Sequence, residues 1–160
     1  MPATYEPIAT TTLTSNTTAV SFTSIPGTYT DLVLVFVGIS TPAGVAGLYI
    51  SGINGDGGTN YSNTIIQADG TSAATFRDTN ANGMNIGLIN STQTNSIFQF
   101  MNYSNTTTFK TVLARANDSS ALVRAAIGLW RNTAAITSFS VSMNTIAAGT
   151  TATLYGIKSA

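Results

Sequence analysis

The chain is written as a succession of short stretches in which apolar and polar residues alternate. Ile136 to Met143 shows the pattern most cleanly: Phe139, Val141 and Met143 fall on one side, and Ser138, Ser140 and Ser142 on the other. Strict period-2 alternation is the mark of a strand with one buried face and one wet face. Before it, Leu122 to Trp130 is an apolar run carrying one charge, Arg124. After it, Thr151 to Lys158 closes the chain as a further strand, with Asn132-Thr133 and Ala148-Gly149-Thr150 as the intervening turns. The stretch Ser119 to Lys158 therefore predicts three successive strands. They are expected to pair as a meander around which the sheets assemble, with Phe139, Val141 and Met143 in the core.

The same signals run back to the start. Thr4 to Thr14 predicts a first strand, and Pro7, which cannot donate to a ladder, places it at an edge or at a break. Ala19 to Ile25 alternates, and Pro26-Gly27 turns the chain. Leu32 to Ile39 is apolar on both faces, with Val33, Val35, Val37 and Ile39 opposite Leu32, Leu34 and Phe36. That fits a central strand covered on both sides, one of them by a partner subunit. Strands follow at Leu48-Tyr49-Ile50, Tyr61 to Ala68, Met84 to Ile89, Ser96 to Met101 and Phe109 to Ala116, and Ala74 to Arg77 is expected to pair briefly. Asn54 to Gly58 is expected as a flexible loop, and Asp78 to Gly83 as a long polar one. Helical periodicity is sustained nowhere. Roughly ten short strands, with turns of Gly, Asn, Asp or Pro every 8 to 12 residues or so, predict one all-β domain over residues 1–160: an antiparallel β-sandwich, jelly-roll-like.

Composition narrows the chemistry. Of 160 residues only 8% are charged, the net charge is zero, and 43% are hydrophobic. A core is ample, and neither nucleic acid nor an anionic membrane finds an electrostatic footprint. So weak a surface charge is poor at keeping monomers apart, which suits a subunit of an assembly. Without cysteine or histidine, thiolate chemistry and the commonest general base and metal ligand are absent. Met1-Pro2-Ala3-Thr4-Tyr5 lacks the basic start and apolar run of a secretory signal, and no run reaches the ~20 apolar residues of a membrane helix.

The remaining motifs favour structure over chemistry. Asp78-x-Asn80-x-Asn82-Gly83 matches the first half of a calcium loop but has Ile89 where a bidentate Glu is required, so no metal site is expected. Asp56 alone makes a still poorer one. Six N-x-Ser/Thr triplets are what an Asn- and Thr-rich chain yields by chance. Arg124 and Arg131 bracket Trp130; the indole is expected in the core or an interface, and the arginines at a rim or paired with Asp118 or Asp31. Glu6 and five scattered Asp residues offer no convincing carboxylate pair for glycoside hydrolysis, so no enzyme, catalytic residue or cofactor is expected.

Four segments resemble something known: Tyr5-Glu6-Pro7-Ile8-Ala9-Thr10-Thr11-Thr12-Leu13, Ser24-Ile25-Pro26-Gly27-Thr28-Tyr29-Thr30-Asp31-Leu32, Gly128-Leu129-Trp130-Arg131-Asn132-Thr133-Ala134-Ala135-Ile136-Thr137-Ser138, and Leu154-Tyr155-Gly156-Ile157-Lys158. Together they are similar to small virion structural proteins of tailed bacteriophages. The marks lie toward the two ends; Thr41 to Asn95 carries none. The resemblance implies an all-β domain on the particle, most simply a decoration or cement protein that binds the outside of the head and stabilises it. Its partners would be the major capsid protein or other virion proteins. The alternative is a tail fibre or spike module binding a host surface glycan through Tyr49, Tyr61 and Tyr103. A symmetric homo-oligomer, a trimer before other states, is expected from the two-sided apolar strand and the shortage of charge.

Overall fold

The computed structural model describes residues 4–41, 44–119 and 121–158. Met1 to Ala3 of the start and Ser120 of the turn before Leu122 lie outside the described residues. Twelve strands are formed among these residues. In chain order they are β1 (Tyr5–Thr12), β2 (Thr17–Phe22), β3 (Asp31–Gly38), β4 (Ala46–Ser51), β5 (Tyr61–Ala68) and β6 (Ala73–Ala81). Then come β7 (Gly83–Ile89), β8 (Thr94–Phe100), β9 (Lys110–Asn117), β10 (Val123–Trp130), β11 (Phe139–Ile146) and β12 (Thr151–Ile157). A large sheet runs β1-β12-β3-β8-β9-β10-β5-β6, and a small one runs β2-β11-β4-β7. Every pairing is antiparallel, and the two sheets face each other as a β-sandwich, jelly-roll-like in that the chain crosses repeatedly between them.

Period 2 decides what lies between the sheets. From the large sheet Leu32, Leu34, Phe36, Phe98, Phe100, Val112, Leu154 and Trp130 point inward; from the small one Val20, Phe22, Leu48, Ile50, Met84, Phe139 and Val141 meet them. Phe139 lies at the join, its ring 4.6 Å from that of Phe100 and 5.4 Å from that of Phe22. The sheets approach closely where a side chain is missing: a Cβ on Gly128 would stand 2.3 Å from the sulfur of Met84. Along one side a buried hydroxyl joins the layers, since Leu88 N–H donates to Ser96 Oγ (3.1 Å), which donates back to Leu88 C=O (3.0 Å). Two hydrogen bonds offset the desolvation of this buried hydroxyl and link the two sheets.

Several expectations are corrected here. The closing stretch is not a meander. β10 pairs with β9 and β5, β11 crosses to the small sheet to pair with β2 and β4, and β12 returns to the large sheet between β1 and β3. Alternation fixes faces, not partners, and the eight residues from Arg131 to Ser138 are long enough to carry the chain between layers. Phe139 and Val141 are buried as expected, while Met143 is half-buried. Leu32, Leu34 and Phe36 are fully buried, but on the other face Val33 is buried by its neighbours in this single chain and Val35 and Val37 are half-buried.

Asp78 to Ala81 is not a loop either. β6 extends through it as the partner of β5, and the chain then turns into β7 through Asn82 alone. A bulge takes up the extra residue: Asn80 adopts φ 54°, a left-handed conformation that Asn tolerates. At the other edge of the large sheet β1 has a bulge between Pro7 and Ala9, as the proline requires.

Candidate docking surface

The face of the large sheet that points away from the core is unusually apolar. Strand register assembles it in rows. One runs Thr75, Ile66, Ala125, Arg115, Ile97, Val35, Thr153 and Thr10; the next runs Arg77, Thr64, Ile127, Leu113, Gln99, Val33, Tyr155 and Pro7. Ile66 is 59% exposed, Ile127 55%, Val123 54% and Leu113 47%, values that leave about half of each residue in water. Scattered exposed leucines are ordinary, but contiguous apolar side chains across adjacent strands of one sheet mark an interaction surface. β9 states the inversion most sharply: Leu113 points to solvent, whereas Lys110 points inward and is fully buried. The Lys110 ammonium donates to Thr108 C=O (2.7 Å) and Thr133 C=O (2.9 Å), and burial pushes its pKa down.

Arg115 stands in the middle of this face. It is exposed and its guanidinium makes no hydrogen bond or ion pair with any described residue, and the same holds for the Arg77 side chain on β6. Two shallow grooves meet at Arg115, of about 270 Å³ beside Tyr5, Val33 and Leu113 and about 290 Å³ beside Asn95 and Val123.

The outer face of the small sheet is different. Ser140 lies opposite Ser21 with their hydroxyls 2.8 Å apart, and Ser142 and Ser51 are also 2.8 Å apart. A ladder of hydroxyls therefore satisfies itself across β2, β11 and β4. Beside it a shallow groove of about 610 Å³ is lined by Tyr49, Ser51, Asn82, Ser142 and Asn144. Of the three tyrosines proposed for a glycan, Tyr49 alone reaches this surface; Tyr61 and Tyr103 are completely buried. Tyr103 donates its hydroxyl to Pro26 C=O, and Tyr61 donates to Asp56 C=O (2.8 Å) while accepting from Ile53 N–H (3.1 Å). Their polar ends are used internally, which is how a buried tyrosine is accommodated.

Asn54 to Gly58 is a pinned corner rather than a flexible loop. A single 3-10 turn, Ile53–Gly55, presents Asn54, whose side chain accepts from Thr137 N–H (2.8 Å) and Ser138 N–H (3.2 Å) and donates to Ala135 C=O (2.7 Å). Asp56 accepts from the Trp130 indole N–H (2.8 Å), Asn60 (3.0 Å) and Gly58 N–H (2.8 Å), which together hold its carboxyl below the usual carboxylate range. Trp130 is in the core, as expected. The arginines do not pair with Asp118 or Asp31. Arg124 donates to Gly87 C=O (2.7 Å), Gln67 (2.9 Å) and Asn85 (3.3 Å), and Arg131 to Thr59 C=O (2.6 Å) and Asn80 (2.9 Å). Sequence reasoning missed these contacts because they join residues far apart in the chain.

The carboxylates are spread through the fold in structural roles. Glu6 binds Lys158 (2.9 Å), Asp31 caps Asn102 N–H (2.7 Å), and Asp78 accepts from Asn63 (3.0 Å). Asp69 gathers the N–H groups of Ser72 and Thr71 in its turn, and these hold it well below the ordinary carboxylate value. Asp118 accepts from Asn90 and Leu122 N–H, both at 3.1 Å. Among the described residues no three acidic side chains converge on a point that could hold a metal ion, and no helix is long and apolar enough to cross a membrane.

No protein-family model matches the chain, and no curated protein does. Among solved structures it is similar to the exo-inulinase from Aspergillus awamori, with a TM-score of 0.35 and 10% identity over 97% of this chain; the chain spans 29% of the length of that protein.

Proposed function

We propose that the protein is a structural subunit of a tailed-bacteriophage virion, a decoration or cement protein that lies on the outside of the head and stabilises it, with the major capsid protein as its partner. The observation that carries this reading is the outward face of the large sheet. It is broad and exposes large apolar side chains on adjacent strands, and a surface of that kind serves a permanent contact better than it serves catalysis or capture of a soluble ligand. The four sequence segments that resemble virion proteins supply the setting; they map to the β1 edge of the large sheet with the neighbouring β12 and the entry to β3, and to the corner after Trp130. Self-association into a closed ring, a trimer, belongs to the same proposal and rests on the neutral, charge-poor surface. A reconstruction of intact particles tests it: density for this fold is expected over the head lattice, with the large sheet turned toward the shell. Density confined to the tail would remove the decoration role.

The second reading, a tail fibre or spike module that holds a host glycan, draws on the Tyr49 groove. A half-exposed aromatic ring beside the amides of Asn82 and Asn144 is a surface on which a sugar ring can stack and hydrogen-bond. Loss of host adsorption in Tyr49→Ala particles of normal composition would favour it over the first.

A further inference from the structure

We infer that the outer face of the large sheet docks on a protein surface that carries a carboxylate within an apolar patch, that Arg115 is the residue that recognises it, and that a second copy of this chain is not the occupant. The inference rests on reading that face as the docking surface. Eight strands spaced about 4.8 Å apart and about 20 Å long offer roughly 800 Å², which is what one partner contributes to a standard stable interface. Within the two central rows of this face the charged residues are Arg115 and Arg77, both positive and neither paired with a described residue. Arg115 is central, on the same row as Ala125 and Ile97 and between the two grooves. An arginine ringed by aliphatic side chains is a common anchor of protein interfaces, because its fork binds a carboxylate bidentately once water is excluded.

Two copies of this face cannot supply that carboxylate to each other. The two central rows of the face carry Arg115 and Arg77 and no acidic residue. Two such faces pressed together would bury guanidinium groups with no free counter-charge, an arrangement that pays desolvation without return. A different protein with an acidic residue among apolar ones meets both requirements. Any ring formed by this chain would use other surfaces and leave this face free.

The purified full chain tests this by NMR titration with 4-phenylbutyrate and with its neutral amide, compounds of one shape that differ in charge. The expected result is perturbation of backbone amides from Leu113 to Ala116 and Ala125 to Ile127. The acid should bind about two- to five-fold more tightly than the amide at low salt, the range of an exposed ion pair. That preference should vanish in Arg115→Gln and persist in part in Arg115→Lys. Equal binding of acid and amide, an unchanged preference in Arg115→Gln, or no binding of either compound overturns the inference. So does a fall in sedimentation mass on Leu113→Asp/Ile127→Asp substitution, which would make a second copy the occupant. Particles lacking the protein separate this from the virion reading. Uptake of wild type but not of Arg115→Glu supports the inference, and equal uptake of both overturns it. Uptake of neither, with the charge preference intact, removes the virion reading and leaves the inference standing.

Discussion

Trp130 donates its indole N–H to Asp56 across 2.8 Å, joining residues 74 apart in sequence. The bond ties the end of β10 to the corner that leads into β5, its neighbour in the sheet. Because this and the Asn60 and Gly58 contacts hold Asp56 more acidic in the fold than in the unfolded chain, its ionised form stabilises above the unfolded pKa, near 4, and the contribution fades as pH falls through the folded value. Asp56→Asn should therefore lower stability by about 1 kcal/mol at pH 7, the difference between a charged and a neutral acceptor. The deficit should be smaller at pH 3. Denaturant melts of both proteins at the two pH values check this; an equal deficit at both would mean that the charge is immaterial.

Tyr61 completes the same corner. Burial pushes its hydroxyl up to about 12, so it should stay protonated while exposed tyrosines ionise near 10. The fold then binds a proton that the unfolded chain releases, and stability from this group is lost as pH rises from about 10 toward 12. Tyr61→Phe leaves the buried Ile53 N–H without its acceptor and should cost about 1–3 kcal/mol. A spectrophotometric titration in which every tyrosine ionises together near pH 10 would contradict the burial.

Phe139 and Ser140 are neighbours in sequence that face opposite ways. Phe139→Ala should cost about 3–5 kcal/mol, through lost burial and the cavity left between Phe22 and Phe100. Ser140→Ala removes one half-exposed hydroxyl contact with Ser21 and should cost at most about 1 kcal/mol. Chemical denaturation of the pair reads the contrast directly, and the reverse order of severity would place β11 in the wrong register.

Gly156 permits a close approach that no side chain could. A Cβ there would lie 2.3 Å from the Tyr29 ring, whose hydroxyl donates to Glu6. Gly156→Ala should displace the ring and destabilise by about 1–3 kcal/mol, with the Glu6–Lys158 pair loosened alongside it. A melting temperature equal to wild type would show that the ring moves freely.

Alternation along single strands made much of the fold legible. The faces of Phe139 and Val141, of Val20 and Phe22, and the edge position of Pro7 all follow from local sequence. What local sequence could not carry was partnership. β11 alternates identically whether it pairs with β10 or crosses to the other sheet. Asp78 and Asn80 look like a loop because polar residues on an exposed edge strand resemble a turn. The apolar outer face was half visible in the two-sided apolar run of β3. Its full extent needed the register, because Ile66, Leu113 and Ile127 come from three strands that only pairing makes neighbours. Tyr61 and Tyr103 read as surface aromatics because nothing local announces that Ile53, Asp56 and Pro26 will satisfy their hydroxyls.

The central claim is that the outer face of the large sheet is for docking and not for folding. Leu113→Asp/Ile127→Asp places two charges on that face at side chains already about half exposed; because the two positions pair directly across β9 and β10, charge repulsion and poor strand propensity should cost about 1–2 kcal/mol while the variant stays folded. The most direct measurement is the number of copies per purified particle when this variant replaces the wild-type protein during assembly, counted by quantitative mass spectrometry against the major capsid protein. A fall of at least about tenfold, which corresponds to ~1.4 kcal/mol of lost affinity, is the result expected of a folded protein that can no longer dock. Incorporation at the wild-type level by the stable variant would contradict the account.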